Sequence, residues 1–281
     1  MSIRSWLIKA SILLSLMCVV FGGAAFFIYN LFEAPRKMMK HAMGAPTPTP
    51  PPDASAIEYE RVLKVKDAGN LAETRKAFED FTAQYPNSPR FDDARDVLGD
   101  VNLKLFFSDA PDPDKQQYVI QRGDTISAIE RKTKVPGELI MRLNNIDDPR
   151  KLHPGDTLNV TKPQFALKLD HKAKRVVLLN NGKFFKQYKV GQWNAPARKT
   201  AAPVAAKVVE KSAWQNNQPV PPGPAEKNAS GRRIVMSANG YTLYTDGVTD
   251  MPKPEGGLGM DAEDMRELST LINRGTPVTI E

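Results

Sequence analysis

The residue types that most often act as nucleophiles and general bases are scarce in this chain. It contains one cysteine, Cys18, and three histidines, His41, His153 and His171. A single cysteine forms no intrachain disulfide, and no thiol follows residue 18. None of the histidines belongs to a Ser/His/Asp arrangement. Acyl transfer by a thiolate or by a serine triad therefore finds no ready set of side chains after residue 18.

A group of carboxylates near the C-terminus offers the next candidate chemistry: Glu255, Asp261, Glu263 and Asp264. Paired carboxylates can act as general acid and general base. The last three are explained more simply as the acidic first turn of a helix, where they interact well with the helix dipole. The spacing of possible ligands supports no metal site. We therefore predict no catalytic residue, no metal and no cofactor.

The most specific spacing in the chain lies between residues 118 and 160. Residues 118–120 predict a short strand, and a turn at 123–124 leads into a helix that starts at Thr125. A Pro-Gly pair at 136–137 separates two short helices. Alternating apolar residues at 158–160 predict the returning strand. The predicted order is strand, helix, helix, strand.

This stretch resembles the LysM (lysin motif) module. The matching residues are Tyr118, Ile120, Gly123, Asp124, Thr125, Ile126, Ser127, Ile129, Leu143, Asn144, Leu152, Pro154, Gly155, Asp156, Thr157 and Leu158. The resemblance implies a βααβ fold over residues 117–161. It also implies binding of glycans that contain N-acetylglucosamine, such as peptidoglycan.

By this resemblance the sugar lies in a shallow groove between two loops. The implied groove residues are Gly123, Asp124, Thr125 and Ile126 in the first loop, and Asn144, Asn145, Ile146, Leu152, Pro154 and Gly155 in the second. Backbone groups at a turn and Asn amides can hydrogen-bond acetamido groups, and an Ile or Leu face can take the methyl group and the sugar ring. The alternative is that these residues are only turn formers and helix caps.

An apolar segment predicts a transmembrane helix at residues 10–32, after a cytoplasmic segment at 1–9. The segment carries no charge and is long enough to span a bilayer, which takes about 20 residues. A signal peptide would have a shorter apolar core, although residues 23–25 imitate a cleavage site. Cys18 could suggest a lipidated N-terminus, but Met17 precedes it where a small residue is expected. We expect a single-pass protein of the bacterial inner membrane, with the chain after about residue 33 outside the cytoplasm, because the implied ligand lies there.

Charge and composition limit the partners. The net charge is +7, and the basic excess lies in residues 1–52 and 164–281, whereas 53–108 are acidic. The basic C-terminal region could face nucleic acid, acidic lipid or the carboxylates of peptidoglycan peptides. No basic run with interleaved aromatic residues supports nucleic acid.

Two segments separate the predicted span from the LysM-like stretch. A Pro-rich stalk at 33–55 has a polyproline II composition. Residues 56–108 predict helices with a turn at 85–89, and their pattern resembles part of a tetratricopeptide hairpin. So short an array either packs on its neighbours as a spacer or binds a protein such as a cell-wall enzyme.

Strands dominate the predicted structure after residue 161. Apolar runs flank an Asn-Gly pair at 181–182, which is a strong hairpin signal. Asp261 is a predicted cap for one late helix, and Gly275 ends it before a final strand.

Residues 164–281 as a whole resemble the L,D-transpeptidase catalytic domain, which cross-links peptidoglycan peptides through a cysteine acyl-enzyme. The matching residues are Asn181, Gly182, Tyr188, Val190, Gly191, the 200–211 segment, Met260, Asp264, Met265, Leu268, Gly275, Thr276, Pro277, Val278 and Ile280. The family's Ser-His-Gly-Cys-Ile-Arg-Met motif corresponds to residues 254–260. There Gly257 stands in the cysteine position, Glu255 in the histidine position and Gly259 in the arginine position, and Tyr244 falls within the replaced Ile-His-Gly strand end. We expect an inactive domain.

The sequence thus predicts a multidomain α+β protein: a transmembrane helix, a helical spacer, a βααβ LysM module and a mostly-β transpeptidase-like domain. Its predicted function is non-catalytic binding of peptidoglycan glycan strands, for attachment or scaffolding at the cell wall. The alternative function is a divergent transpeptidase or carboxypeptidase. A third possibility makes the helical region the functional surface.

Overall fold

The computed structural model describes residues 53–108, 115–197, 202–221, 226, 228–254 and 256–281. Helices come first, a small strand-helix-helix-strand unit follows, and strands with one late helix complete the chain. Residues 54–281 form one compact unit.

The helical region holds three helices over residues 53–108. They are α1 Ala54–Asp67, α2 Leu71–Gln84 and α3 Phe91–Phe107. The predicted turn at 85–89 lies between α2 and α3. A second break is not predicted: Gly69 has φ +83°, and the Asn70 side chain accepts hydrogen bonds from the amides of Ala72 and Glu73. Apolar residues on both sides of this break imitate one continuous helix face.

Helix α3 joins the helical region to the strands that follow. The buried Asn102 amide donates to the carbonyl of Phe185 (2.9 Å), and Lys186 Nζ lies 2.7 Å from Asp100. Gly99 allows this close approach, since a Cβ there would lie 3.2 Å from the Cα of Lys186. Helix α3 is therefore packed directly on residues 185–186 of a later strand.

The small unit has the predicted order strand, helix, helix, strand. Its elements are β1 Lys115–Val119, α4 Ile126–Thr133, α5 Gly137–Leu143 and β2 Thr157–Thr161. The strands pair antiparallel, with Tyr118 opposite Leu158. Thr125 caps α4 through its side chain, which accepts a bond from the Ala128 amide (3.2 Å), and Lys134 ends the helix at φ +62°.

The C-terminal part, called here the β domain, is built from strands and one helix. Its elements are β3 Phe165–Asp170, β4 Arg175–Asn180, β5 Lys183–Lys189, β6 Gln192–Asn194, β7 Val204–Gln215, β8 Gln218–Val220, β9 Gly231–Met236, β10 Thr242–Thr245, β11 Gly257–Met260, α6 Ala262–Leu271 and β12 Pro277–Ile280. Along one hydrogen-bonded path the order is β5-β4-β3-β12-β7-β9-β10-β11-β6, and β8 pairs with β7. The Asn181-Gly182 turn joins β4 and β5 with both φ values positive, and Asp261 caps α6, as predicted.

One hydrophobic core joins the small unit to the β domain. Ile129 and Leu139 of the unit belong to the same buried cluster as Phe165 and Leu268. A charged contact adds to this core, because Arg232 Nη2 of β9 lies 3.4 Å from Glu138 of α5 and Arg232 is only 3 % exposed. The small unit is therefore fixed on the β domain rather than tethered beside it.

The expected fold class needs one correction, which concerns the transmembrane helix. Across the part of the chain that the structure describes, no helix is long and apolar enough to cross a membrane. The longest described helix, α3 Phe91–Phe107, carries acidic side chains such as Asp92 and Asp93. A span takes about 20 apolar residues. The predicted span at 10–32, and nearly all of the stalk, lie outside the described residues.

Candidate functional site

In the predicted groove, the start of the first loop lies beside the end of the second loop. The first loop, residues 121–125, joins β1 to α4, and the second loop, residues 144–156, joins α5 to β2. The amide of Gly155 donates to the carbonyl of Ile120 (2.9 Å), and the amide of Ile120 donates to the carbonyl of Asp156 (2.8 Å). These bonds continue the β1–β2 pairing and hold the loop ends together.

A glycine in each loop leaves the surface between the loops open. Gly123 has φ +86° and Gly155 has φ +97°, and both are exposed. The positive φ explains why the loops use glycine. A Cβ on either residue would meet nothing within 4 Å. The backbone of both loops is thus accessible to a ligand at these points.

Asp124 turns its carboxylate into the first loop rather than toward a ligand. The carboxylate accepts bonds from Lys132 Nζ (2.6 Å), the Tyr118 hydroxyl (2.6 Å) and the amide of Gln121 (2.9 Å). Its side chain is 4 % exposed. These donors, Lys132 first, lower the pKa of Asp124 from 3.8 to about 2, because each bond favours the ionised form. Asp124 therefore organises the loop.

The other two predicted residues of the first loop have different roles: Thr125 caps a helix and Ile126 packs in the domain. Thr125 is exposed, and its hydroxyl caps α4 as described above. Ile126 is half-buried, and its Cγ2 packs closely on Gly137 at the start of α5. Only part of the Ile126 side chain is left for an apolar contact with a sugar.

Asn144 is also used inside the domain. Its side-chain amide donates to the carbonyls of Ile140 and Asn159 (2.8 Å each), and its side-chain oxygen accepts from the amide of Asn159 (2.7 Å). The side chain thus ties the end of α5 to β2. The next residue, Asn145, is exposed and has φ +51°. Asparagine tolerates that conformation better than most residues. Of the two asparagines, Asn145 is the one available to a ligand.

The remaining predicted groove residues belong to the second loop. Ile146 and Leu152 are half-buried and join the edge of the hydrophobic core, and Pro154 is exposed. Between them a 3-10 turn, Pro149–Lys151, is capped by Asp148, which also pairs with Arg150 at 2.9 Å. The loop therefore offers apolar edges on a backbone with internal support.

Some residues that shape this site are not among the predicted groove residues. Lys132 and Asn159 bind the loop carboxylate and the loop asparagine respectively. Tyr118 is part of the sequence motif, which gives a signal for its importance. Lys132 lies eight residues after Asp124 and matches no motif position, so no sequence signal identifies it.

At Gly257, which is predicted to stand in the position of a catalytic cysteine, there is no space for a side chain. Gly257 is buried, has φ +102°, and a Cβ there would lie 2.6 Å from the carbonyl oxygen of Thr242. At Gly259 a Cβ would meet the Tyr244 hydroxyl at 3.1 Å. The Tyr244 ring, 1 % exposed, packs over both glycines.

Polar contacts around Tyr244 complete this closed site. The Tyr244 hydroxyl donates to the Gln192 side-chain oxygen (3.2 Å), which also accepts from Lys253 Nζ (3.2 Å). Gln192 in turn donates to Asp246 (3.0 Å). Glu255 lies outside the described residues. The described groups form a hydrogen-bonded network beside Gly257 and Gly259.

The two described histidines have different surroundings. His171 bonds to the Tyr241 hydroxyl (2.7 Å) and packs on Trp193, and His153 is exposed. Among the residues that the structure describes, no group of three or more metal-ligating side chains is gathered.

Comparison with known proteins supports the assignment of the small unit. Residues 118–161 match the LysM domain family. The match covers the strand-helix-helix-strand unit almost completely, so the LysM resemblance is confirmed. No curated protein matches the chain.

Solved structures similar to this chain include L,D-transpeptidases. A mutant L,D-transpeptidase from Enterococcus faecium shows 13 % identity and a TM-score of 0.30, covering 42 % of this chain and 49 % of its own. An L,D-transpeptidase from Mycobacterium smegmatis shows 9 % identity and a TM-score of 0.29, and the match covers 45 % of this chain and 63 % of that protein's chain. An L,D-transpeptidase from Xylanimonas cellulosilytica shows 12 % identity and a TM-score of 0.29, and the match covers 62 % of this chain and 100 % of that protein's chain. The chain thus spans about half of the Enterococcus protein's length.

Proposed function

We propose that this protein binds the N-acetylglucosamine-containing glycan of peptidoglycan in the groove of its LysM domain. The observation that carries the proposal is the pair of adjacent loops with open backbone at Gly123 and Gly155, within a segment that matches the LysM family. Bonds at Ile120 hold these loops together before any ligand arrives, and such pre-organisation lowers the entropy cost of binding.

The proposed contacts divide the groove residues into two groups. Backbone groups near Gly123 and Gly155, with the exposed side chain of Asn145, would hydrogen-bond the acetamido group. The partly exposed side chains of Ile146 and Leu152 would take its methyl group and the sugar ring. Asp124 and Asn144 would hold the loops in place without touching the sugar.

The second part of the proposal is that the β domain is not catalytic. The chain has no cysteine after residue 18 that could act as a nucleophile. The space that a side chain would need at Gly257 is occupied by Thr242 and Tyr244. A thiolate mechanism needs a nucleophile, a base and donors for the oxyanion in one site. These features support a binding protein over the alternative of a divergent transpeptidase or carboxypeptidase.

The proposed location follows from the proposed ligand. Peptidoglycan lies outside the cytoplasm of bacteria, so we place the LysM and β domains there. A scaffold role, in which the helical region binds wall enzymes, remains a prediction. Part of the surface of helix α3 is packed on the β domain, so a partner would bind α1 and α2. A pull-down from cell extract, repeated with the exposed Arg75 and Lys76 of α2 changed to Glu, would test it.

The groove is tested by titrating residues 54–281 with an N-acetylglucosamine oligomer and following backbone amide shifts by NMR. We expect the largest shifts at 123–126 and 144–155, and none at Gly69, an exposed glycine of similar φ in the helical region. Shifts confined to the surroundings of Gly257 would move the ligand to the β domain. Absence of shifts at millimolar oligomer would contradict glycan binding.

A further inference from the structure

Lys132 contacts the first groove loop from the opposite end of α4. It lies in the last turn of α4 and reaches back to the loop that precedes the same helix. Its Nζ donates to Asp124 (2.6 Å) and to the Tyr118 hydroxyl (3.1 Å), and it lies over the Tyr118 ring at 5.9 Å. One side chain thus connects the end of β1, the loop and the end of α4.

The geometry makes this contact more than a surface ion pair. Exposed pairs contribute little when both partners are free to move. Here the carboxylate is 4 % exposed and has two further donors, whereas the lysine side chain is 51 % exposed. The carboxylate is therefore held in place and Lys132 completes its set of donors with a charge-assisted bond. Loss of Lys132 leaves an enclosed carboxylate without its cation.

We propose that Lys132 is a positioning residue for the glycan groove, acting through Asp124 to fix the backbone of residues 121–126. The inference rests on the proposed function for its effect on affinity. The position of the loop backbone matters because Gly123 offers a ligand no side chain, only main-chain groups in a fixed direction. A loop that must be ordered on binding costs affinity.

Three variants of the whole chain separate this role from a general effect on stability. Lys132→Met keeps the stem and removes the charge, and Lys132→Arg keeps the charge. Arg131→Met is the matched control, since Arg131 is the exposed neighbour on the same helix. For an N-acetylglucosamine oligomer we expect Lys132→Met to lower affinity about tenfold. The Arg variant should stay within about twofold of the original protein, and the control should be unchanged.

A second readout needs no ligand. In the original protein the Asp124 carboxyl should stay ionised down to about pH 2, as its lowered pKa requires. In Lys132→Met the carboxyl should titrate about one pH unit higher or more, measured by carbon-13 NMR. Amide exchange in residues 121–126 should speed up in the same variant and recover in Lys132→Arg.

The outcomes distinguish the two proposals. If the original protein fails to bind the oligomer, the proposed function fails, and the Asp124 titration with loop exchange still decides whether Lys132 positions the loop. If the original protein binds and Lys132→Met binds equally well, the positioning role is overturned. An Asp124 titration and loop exchange that Lys132→Met leaves unchanged would overturn it as well.

Discussion

Glycines mark both candidate sites of this protein, and they do opposite things there. In the LysM groove Gly123 and Gly155 have positive φ with open space where a side chain would project. In the β domain Gly257 also has positive φ, but the space beside it is filled by backbone, and the space beside Gly259 by an aromatic ring. The groove glycines expose backbone, whereas the β-domain glycines make room for Thr242 and Tyr244.

The comparison shows that glycines with positive φ serve different packing roles in the two regions. The groove keeps its loops, with polar side chains such as Asn144 bound inside the domain. The β domain has the predicted hairpin turn at 181–182 and the capped helix α6, and the space beside Gly257 and Gly259 is filled. A region that binds through backbone needs open glycines, and a region that catalyses needs side chains in an open cleft.

The largest effect should come from placing a cysteine at Gly257, where the backbone and Tyr244 leave no space for a side chain. Gly257→Cys adds a Cβ 2.6 Å from a carbonyl oxygen and forces a non-glycine residue to φ +102°. Backbone strain and overpacking together should lower the free energy of unfolding by about 4 kcal/mol. Urea unfolding would measure this loss, and a β-lactam acylating probe should not label the variant.

Gly247→Cys is the matched control for that prediction. Gly247 has φ +74° but open space around it. Only backbone strain therefore applies, and the cost should be about 1 kcal/mol. If Gly257→Cys were as stable as this control and reacted with the probe, the contrast between the two sites would collapse.

A smaller effect should follow when the internal support of the groove is removed. Asn144→Ala loses three hydrogen bonds and leaves partners on β2 unsatisfied. We expect a loss of about 2 kcal/mol in unfolding free energy, seen by urea unfolding, together with weaker sugar binding.

Asn145→Gly sharpens this test, because it removes an exposed side chain at a position where φ is +51°. Glycine adopts positive φ without strain. The variant should leave stability nearly unchanged and still weaken oligomer binding. The reverse result, with Asn144→Ala neutral for stability, would mean that Asn144 does not support the groove.

The smallest predicted effect is a pH dependence of stability that comes from Asp264, whose pKa shift is opposite to that of Asp124. Burial raises the pKa of Asp264 in the β domain from 3.8 to about 6. Its protonated form is therefore favoured by folding, so the stabilisation is complete below about pH 4 and is lost as the pH rises through about 6. Solvent screening of this partly exposed group limits the effect to about 1 kcal/mol. Urea unfolding at pH 5 and pH 7.5 should show the loss.

Asp264→Asn should remove that pH dependence and stabilise the protein at pH 7.5, whereas Glu263→Gln, its exposed neighbour, should not. Asp124 has the opposite sign, because its pKa is lowered to about 2. Its contribution is present above about pH 4 and is lost only as the pH falls toward about 2. A pH dependence that survives in Asp264→Asn would assign it to another group.

Much of the fold follows from local sequence rules. Thr125 and Asp261 cap helices as the capping preference predicts, and the Asn-Gly pair at 181–182 forms its hairpin. The strand β11, Gly257–Met260, is not predicted, because glycine is rare in strands. Nor is the break at Gly69, where apolar residues on either side imitate one helix.

The candidate site is less predictable than the fold. The motif places Gly123 and Gly155 correctly at exposed loop positions. It cannot tell that Asp124 and Asn144 point inward, because that depends on Lys132 and Asn159, which lie eight and fifteen residues away in sequence. Side-chain direction is set by such partners, and these become visible only in three dimensions.

The most direct test of glycan binding in the groove is sedimentation of residues 54–281 with isolated peptidoglycan. Three proteins are compared: the original chain, Gly123→Trp and Gly69→Trp. Both glycines have positive φ and open space, so the substitutions carry similar strain and differ only in location. We predict that the original chain and Gly69→Trp sediment with the wall and that Gly123→Trp stays in solution. Equal sedimentation of all three would contradict the assignment of the groove.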